Sequence, residues 1–151
     1  MGLDMYLTGR RYLASYREGD AGIAEKIQEI METKGMRPKA VEVEVGYWRK
    51  ANAIHDWFVR NIQDGEDDCG EYYLSKAKAQ ELLDTVNEVL ADHSKAEELL
   101  PTTSGFFFGS TDYDEYYFQD LEDTKTIMES VVNDFYNGDD REWDVNYRSS
   151  W

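Results

Sequence analysis

Several things are scarce in this chain, and each scarcity excludes a class. A single cysteine, Cys69, rules out an intramolecular disulfide framework and fits a reducing compartment. The two histidines, His55 and His93, offer no helical i, i+4 ligand pair, which disfavours a zinc site. No apolar run approaches the roughly 20 residues of a membrane span. After Met1, Gly-Leu-Asp follows instead of a basic segment and an apolar core, so no secretion signal is expected and a cytosolic setting is. There is no glycine-rich phosphate loop, and no nucleophile has a base beside it in sequence. Cations are the largest deficit: 16 Lys and Arg stand against 32 Asp and Glu, for a net charge of -16.

Aromatics are not scarce. Tyr 11, Phe 6 and Trp 4 make up 14% of the 151 residues, too many for a disordered chain. The length suits one domain. Its scaling predicts a folded surface of roughly 7,900 Å² and needs no metal or disulfide staple. The charge is divided unevenly. Residues 1–60 carry a net +1 and residues 61–151 a net -17. The second part would repel a phosphate backbone, so direct nucleic-acid binding is not expected. A high acidic content serves solubility, but a folded array of carboxylates can also occupy a basic groove.

Leu3, Met5 and Leu7 alternate with Asp4, Tyr6 and Thr8, which predicts a strand that can run on to Leu13. Asp20 suits the N-cap of a helix to about Lys34, with Ile23, Ile27, Ile30 and Met31 on its inner face and Gly35 as its stop. Pro38 opens a second strand, in which Val41, Val43 and Val45 alternate with Glu42 and Glu44. A second helix is predicted from about Tyr47 to Gln63. Its stripe is Trp48, Ala51, Ile54, Phe58, Val59 and Ile62, with His55 in the middle and Trp57 off it. The acidic turn 64–70 leads to a short strand at 71–74. Ser75 then caps a helix to about Ala91, whose inner residues are Ala79, Leu82, Leu83, Val86 and Leu90.

Ser94 to Glu97 reads as a capping box, and Pro101 ends the short turn it opens. The stretch 105–118, with Phe106, Phe107 and Phe108 and then Tyr113, Tyr116, Tyr117 and Phe118, is predicted as a hairpin. A last helix spans about Leu121 to Tyr136, stopped by Asn137-Gly138, and residues 143–147 form a closing strand. The class is α+β: a single domain over residues 1–151, with about four helices packed on a mostly antiparallel sheet. One sheet should contain the strands at 3–8, 41–45 and 143–147.

Candidate chemistry is sparse. Arg49, Lys50, Asn52, His55 and Trp57 are close in sequence, but Arg49 and Lys50 point about 100° apart on a helix, and a buried, non-ligating His55 is expected. Asp64, Glu66, Asp67, Asp68 and Glu71 have a cation loop's composition without EF-hand spacing, because Gly65 comes too early and Ser75 replaces the final glutamate. No cofactor or metal is expected. Asp112, Asp114 and Glu115, then Asp120, Glu122 and Asp123, form a second acidic group suited to capping and turns. Cys69 sits among carboxylates with no adjacent cation, which argues against a nucleophilic thiolate.

Three segments carry a resemblance: Met1-Gly2-Leu3-Asp4-Met5-Tyr6-Leu7, the run Gly46 to Phe58 (GYWRKANAIHDWF), and Gly105-Phe106-Phe107-Phe108-Gly109-Ser110. Together they resemble small acidic proteins encoded by bacteriophages and prophages. That resemblance assigns no catalytic residue. It implies an interaction protein that inhibits a host defence or nucleic-acid-binding complex in the bacterial cytoplasm. The expected partner is a host protein with a basic surface, with no membrane involved and no oligomeric state specified. The docking surface would be acidic, including Asp67, Asp68, Asp112, Asp114 and Glu115, with Trp57, Tyr113 and Tyr116 as aromatic anchors. The alternative is a nucleotide-signal binder with Arg10, Arg11, Arg49 and Lys50 around an aromatic pocket.

Overall fold

A computed structural model describes residues 2–137 and 142–151. Strand β1, Asp4–Tyr12, keeps the expected alternation: Met5 and Leu7 are buried while Asp4, Tyr6, Thr8 and Arg10 face outward. It pairs antiparallel with β2, Ala40–Arg49, and with β4, Asp144–Ser150; β4 in turn pairs with the short β3, Glu71–Tyr73. The order is β2-β1-β4-β3, so the three expected strands do share one antiparallel sheet and the α+β class holds.

The second strand is longer than its valine alternation. Leu7 lies opposite Gly46 but Thr8 lies opposite Glu44, leaving Val45 as the extra residue of a β-bulge. The bulge changes the parity of β2. Val41, Val43 and Val45 are partly covered on the inner side, and Trp48, three residues after Val45, is buried there. This corrects the helix predicted from Tyr47. Tyr47, Trp48 and Arg49 are held in the ladder with β1, and α2 begins only at Asn52, running to Ile62.

The first helix, α1, Glu18–Met31, contains Asp20 in its first turn instead of using it as a cap. The buried Asp20 carboxylate accepts from the Ala14 amide at 3.0 Å and from Arg11 Nη2 at 2.9 Å. The helix stops at Glu32, which adopts φ 54°, before reaching Gly35. Its expected apolar face is covered only in part: Ala24 is buried, while Ile30 and Met31 are exposed, as is Met36 beyond the helix. The total accessible surface of 9158 Å² exceeds the size-based expectation accordingly.

Ser75 caps α3, Lys76–Ala91, as predicted, accepting from the Lys78 amide at 3.2 Å. Asp92, and not Ser94, caps the 3₁₀ turn His93–Lys95 that leads into α4, Ala96–Leu99. The hairpin predicted over 105–118 is absent. Residues 115–118 belong to α5, Glu115–Ser130, which Asp114 caps through the amides of Tyr116 and Tyr117, both at 3.1 Å. The helical spacing of Tyr117, Leu121, Thr124, Met128 and Val131, all buried, wins over the local aromatic alternation. A π-helical turn, Val131–Phe135, ends α5; the stop assigned to Gly138 lies outside the described residues.

Helices α2 and α5 pack on the inner face of the sheet, α5 against β2 and α2 against β4, with α3 beside α5. A Cβ on Gly46 would stand 2.8 Å from Ile127 Cγ2, so this glycine lets α5 lie close on β2. Trp48 Nε1 donates to Thr124 Oγ1 at 2.9 Å across the same contact. The outer face is open and polar. There Arg10 donates to Glu42 and, bidentately, to Glu71, tying three strands together.

Candidate functional site

The functional geometry centres on the N-terminal half of α2 and on the loop that crosses it, residues 101–114. Helix α2 is buried nearly all round there: Asn52, Ala53, Ile54, His55, Trp57 and Phe58 have almost no exposed surface. Asn52 holds the loop from inside. Its Nδ2 donates to the carbonyls of Phe108 at 3.0 Å and Ser110 at 2.8 Å, and its Oδ1 accepts from the Thr103 amide at 3.0 Å. Thr102 Oγ1 donates to the Thr111 carbonyl at 2.9 Å, joining the two arms. The loop thus replaces the expected hairpin, and it separates two cavities.

The first cavity, about 340 Å³, lies between the start of α2 and the start of α5. Arg49 and Lys50 reach it from the end of β2, and Asp112, Asp114, Tyr116 and Asp120 from the other side. The Asp120 carboxyl is pushed up to about 7 by burial first, then by the charges of Asp123 and Asp114. Arg49 also donates to Asp4 at 3.0 Å. Of the four basic residues expected around a pocket, Arg49 and Lys50 are there. Arg10 and Arg11 are not: Arg10 pairs with Glu42 and Glu71, and Arg11 with Asp20 and Glu142.

The second cavity, about 430 Å³, lies on the other side of the loop. Its walls are Phe106, Phe107, Phe108 and Trp151, with His55 and Asp67 on its inner side. As expected, His55 is buried; its surroundings were not foreseen. His55 Nδ1 is 2.7 Å from Tyr147 Oη, and Nε2 is 2.8 Å from Asp67 Oδ2. Burial, then the charges of Asp67 and Cys69, hold the Tyr147 hydroxyl well above its ordinary range, so it keeps its proton. The Asp67 carboxylate can only accept, so the Nε2–H donates to it, and in that neutral tautomer Nδ1 accepts from the Tyr147 O–H. Trp151 Nε1 donates to the other oxygen, Asp67 Oδ1, at 3.0 Å. The chain Tyr147–His55–Asp67 has the order of a proton relay, but its tyrosine end is fully buried. A group that no substrate can touch cannot serve as nucleophile or general acid.

The predicted docking residues are distributed around these features. Trp57 belongs to the buried core, which corrects its role as an exposed anchor: α2 is covered on more than one side, so a residue off the main stripe is enclosed too. Asp67 is engaged with His55 and Trp151. Asp68 closes the acidic turn, accepting from the Gly70 amide at 2.8 Å and from Tyr72 Oη at 2.9 Å; those bonds hold its carboxyl below the usual range. Asp114 is the α5 cap. Tyr113 Oη accepts from the Thr102 amide at 3.2 Å, and the ring packs edge-on to Tyr117. Glu115 and Tyr116 are exposed, Tyr116 at 73%. The structure brings Asp112, Asp114 and Tyr116 to the first cavity and leaves Asp67 at the second.

Sequence reasoning missed the carboxylate line on α5. Glu115, Glu122 and Glu129 recur every seven residues on its exposed side, so they sit about 10 Å apart along one line. None of the three has an ion-pair partner among the described residues. The adjacent α3 exposes Glu81, Asp84 and Glu88. Once residues 115–118 are placed on the helix, the seven-residue spacing is plain in the sequence.

Among the described residues no three His, Cys, Asp or Glu side chains are grouped so as to hold a metal ion, and no helix is long and apolar enough to cross a membrane. Comparison with known proteins finds no matching family model, no similar curated protein and no similar solved structure.

Proposed function

We propose that this is a non-enzymatic interaction protein of bacteriophage type, which inhibits a host defence or nucleic-acid-binding complex by docking its acidic helical face on a basic surface in the bacterial cytoplasm. The observation that carries the reading is the pair of carboxylate lines on neighbouring helices, Glu115, Glu122 and Glu129 on α5 and Glu81, Asp84 and Glu88 on α3. The cations of this layer cancel them only in part. Lys78 and Lys95 pair with Glu81 and Glu88, and Lys76 donates to the Tyr136 carbonyl. Lys125 lies one turn from Glu122 and Glu129 on α5 without an ion pair to either, so Asp84 and the three α5 glutamates remain unpaired among the described residues.

Electrostatic docking of this kind is a sum of weak terms, each exposed pair worth roughly 0.2–1 kcal/mol. It acts mainly on the association rate and falls with salt. The test is to capture the partner from expressing bacterial cells and measure association at low and high salt. The variant is the triple Glu115→Gln, Glu122→Gln, Glu129→Gln, which touches no cap and no buried group. Slower association with a flatter salt slope supports the reading. An unchanged rate and slope rejects it.

The second reading, a binder of a small anionic molecule such as a nucleotide, is favoured by one observation: Arg49, Lys50 and Tyr116 meet around the first cavity. Asp112 and Asp114 share that cavity and oppose an anion. Calorimetry with nucleotides separates the two readings, because Arg49→Ala should abolish a pocket signal and leave helix-face docking unchanged.

A further inference from the structure

We infer that the second cavity is a receptor for an arginine side chain presented by the basic partner; this rests on the docking reading above. Four aromatic rings form its walls in two crossed pairs. Phe106 and Phe107 meet edge to face with centroids 4.4 Å apart at 79°, and Phe108 and Trp151 with centroids 6.2 Å apart at 69°. Phe106 is 91% exposed, a large apolar ring kept in water in the free protein. Such rings present negative faces to a cation, and a planar guanidinium gains both the electrostatic and the stacking contribution.

The inner side of the cavity supplies the counter-charge. Asp67 is held in place by His55 at 2.8 Å and Trp151 at 3.0 Å, one bond to each oxygen. Each carboxylate oxygen can accept a further bond, so the fork of a guanidinium still finds two acceptors. With Nδ1 accepting from the Tyr147 hydroxyl, the His55 Nε2–H donates to Asp67 Oδ2 and leaves the outer side of that carboxylate open to the cavity. Asp56 also lines the cavity but is paired with Arg60 at 2.7 Å, so Asp67 is the carboxylate available to a ligand. A volume of about 430 Å³ holds a guanidinium and part of its stem. A neutral or anionic ligand would leave the Asp67 charge uncompensated.

Loop geometry keeps the receptor in shape before any ligand arrives. The Leu3 amide donates to the Phe107 carbonyl at 3.1 Å, and Asn52 holds the carbonyl of Phe108. A Cβ on Gly105 would lie 2.5 Å from the Phe108 ring, so the loop folds back tightly at that glycine. A loop backbone held in this way loses little freedom when a cation enters.

The experiment titrates the full chain with N-acetyl-arginine amide and, separately, with N-acetyl-citrulline amide, its uncharged isostere. The readout is the indole N–H resonance of Trp151, assigned with Trp151→Phe. The expected result is a saturable shift with arginine at least about tenfold tighter than with citrulline. Phe106→Ala, at a site open to solvent, should weaken the arginine isotherm about threefold or more without loss of fold. Equal response to both compounds, no saturable shift, or an unaltered Phe106→Ala isotherm overturns the inference. The triple Glu→Gln variant on α5 separates the two proposals. If it slows partner association while arginine fails to bind, only the receptor is lost. If arginine binds but that variant leaves association unchanged, only the docking face is lost.

Discussion

His55 and Tyr147 share a 2.7 Å hydrogen bond between α2 and β4, with both side chains fully buried. The Tyr147 ring also lies flat on Phe58, with centroids 3.8 Å apart at 6°. One tyrosine therefore joins the helix to the sheet through a ring face and its hydroxyl. Tyr147→Phe keeps the stacking and leaves Nδ1 without a donor. It should destabilise the protein by about 1–3 kcal/mol, seen as a lower urea midpoint with an unchanged slope. A midpoint equal to wild type would mean the bond adds nothing net.

Asn52 occupies the inside of the loop with three side-chain hydrogen bonds to the backbone. Asn52→Ala leaves the Thr103 amide and two carbonyls without this partner, a loss of about 2–4 kcal/mol if they stay dry. The loop should also become the first site of limited proteolysis, with cuts mapped between residues 102 and 113. Asn52→Asp should fail as well, because a carboxylate cannot donate to the carbonyls of Phe108 and Ser110.

The pH behaviour of Asp120 has a defined sign. Its folded value, about 7, lies above the unfolded 3.8, so the native state holds more protons across that interval. This contribution is fully present below about 3.8 and is lost as the pH rises through about 7. Asp120→Asn should remove that slope. Denaturation at two pH values provides the check. The variant should match wild type near pH 4 and exceed it at pH 8 by on the order of 1 kcal/mol, reduced by the partial exposure of the group. An Asn variant less stable at pH 8 would contradict the sign.

Gly46 tests the seat of α5 on the sheet. A Cβ there would come within 2.8 to 3.2 Å of three Ile127 side-chain carbons, so Ile127 or α5 itself must shift to admit it. Gly46→Ala should cost about 1–3 kcal/mol as overpacking, and the added change Ile127→Val should recover part of the loss. A fully additive double variant would show that the two sites do not meet.

The strands and α3 were legible because their signals are local. Period-two alternation in 3–8 and 143–147 and the Ser75 cap of α3 need no partner to be read. The bulge at Val45 is also written in the chain, as a slip from Val41, Val43 and Val45 to Trp48, but a helical wheel accepts the same residues. Pairing with β1 made the choice, since an unpaired strand loses its ladder bonds. The 105–118 stretch fails for a related reason. Its aromatic alternation competes with the helical spacing 117, 121, 124, 128, and the Asp114 cap together with the sheet under α5 settles it.

Charge content and its bias toward residues 61–151 came from the sequence alone, because charge is a property of composition. The assembly of the candidate sites did not. His55, Asp67, Phe108, Tyr147 and Trp151 span nearly a hundred positions and meet only when β4 lies beside β1 and α2 packs on that sheet. Trp57 shows the same dependence: its place off the stripe left it either covered by residues 105–118 or exposed as an anchor, and the enclosure of α2 buried it. Local pattern located β1, β4 and α3, and was ambiguous where a strand and a helix accept the same residues. Which residues across the chain share a cavity follows from strand order and helix packing, and those are set by long-range contacts that no window of sequence contains.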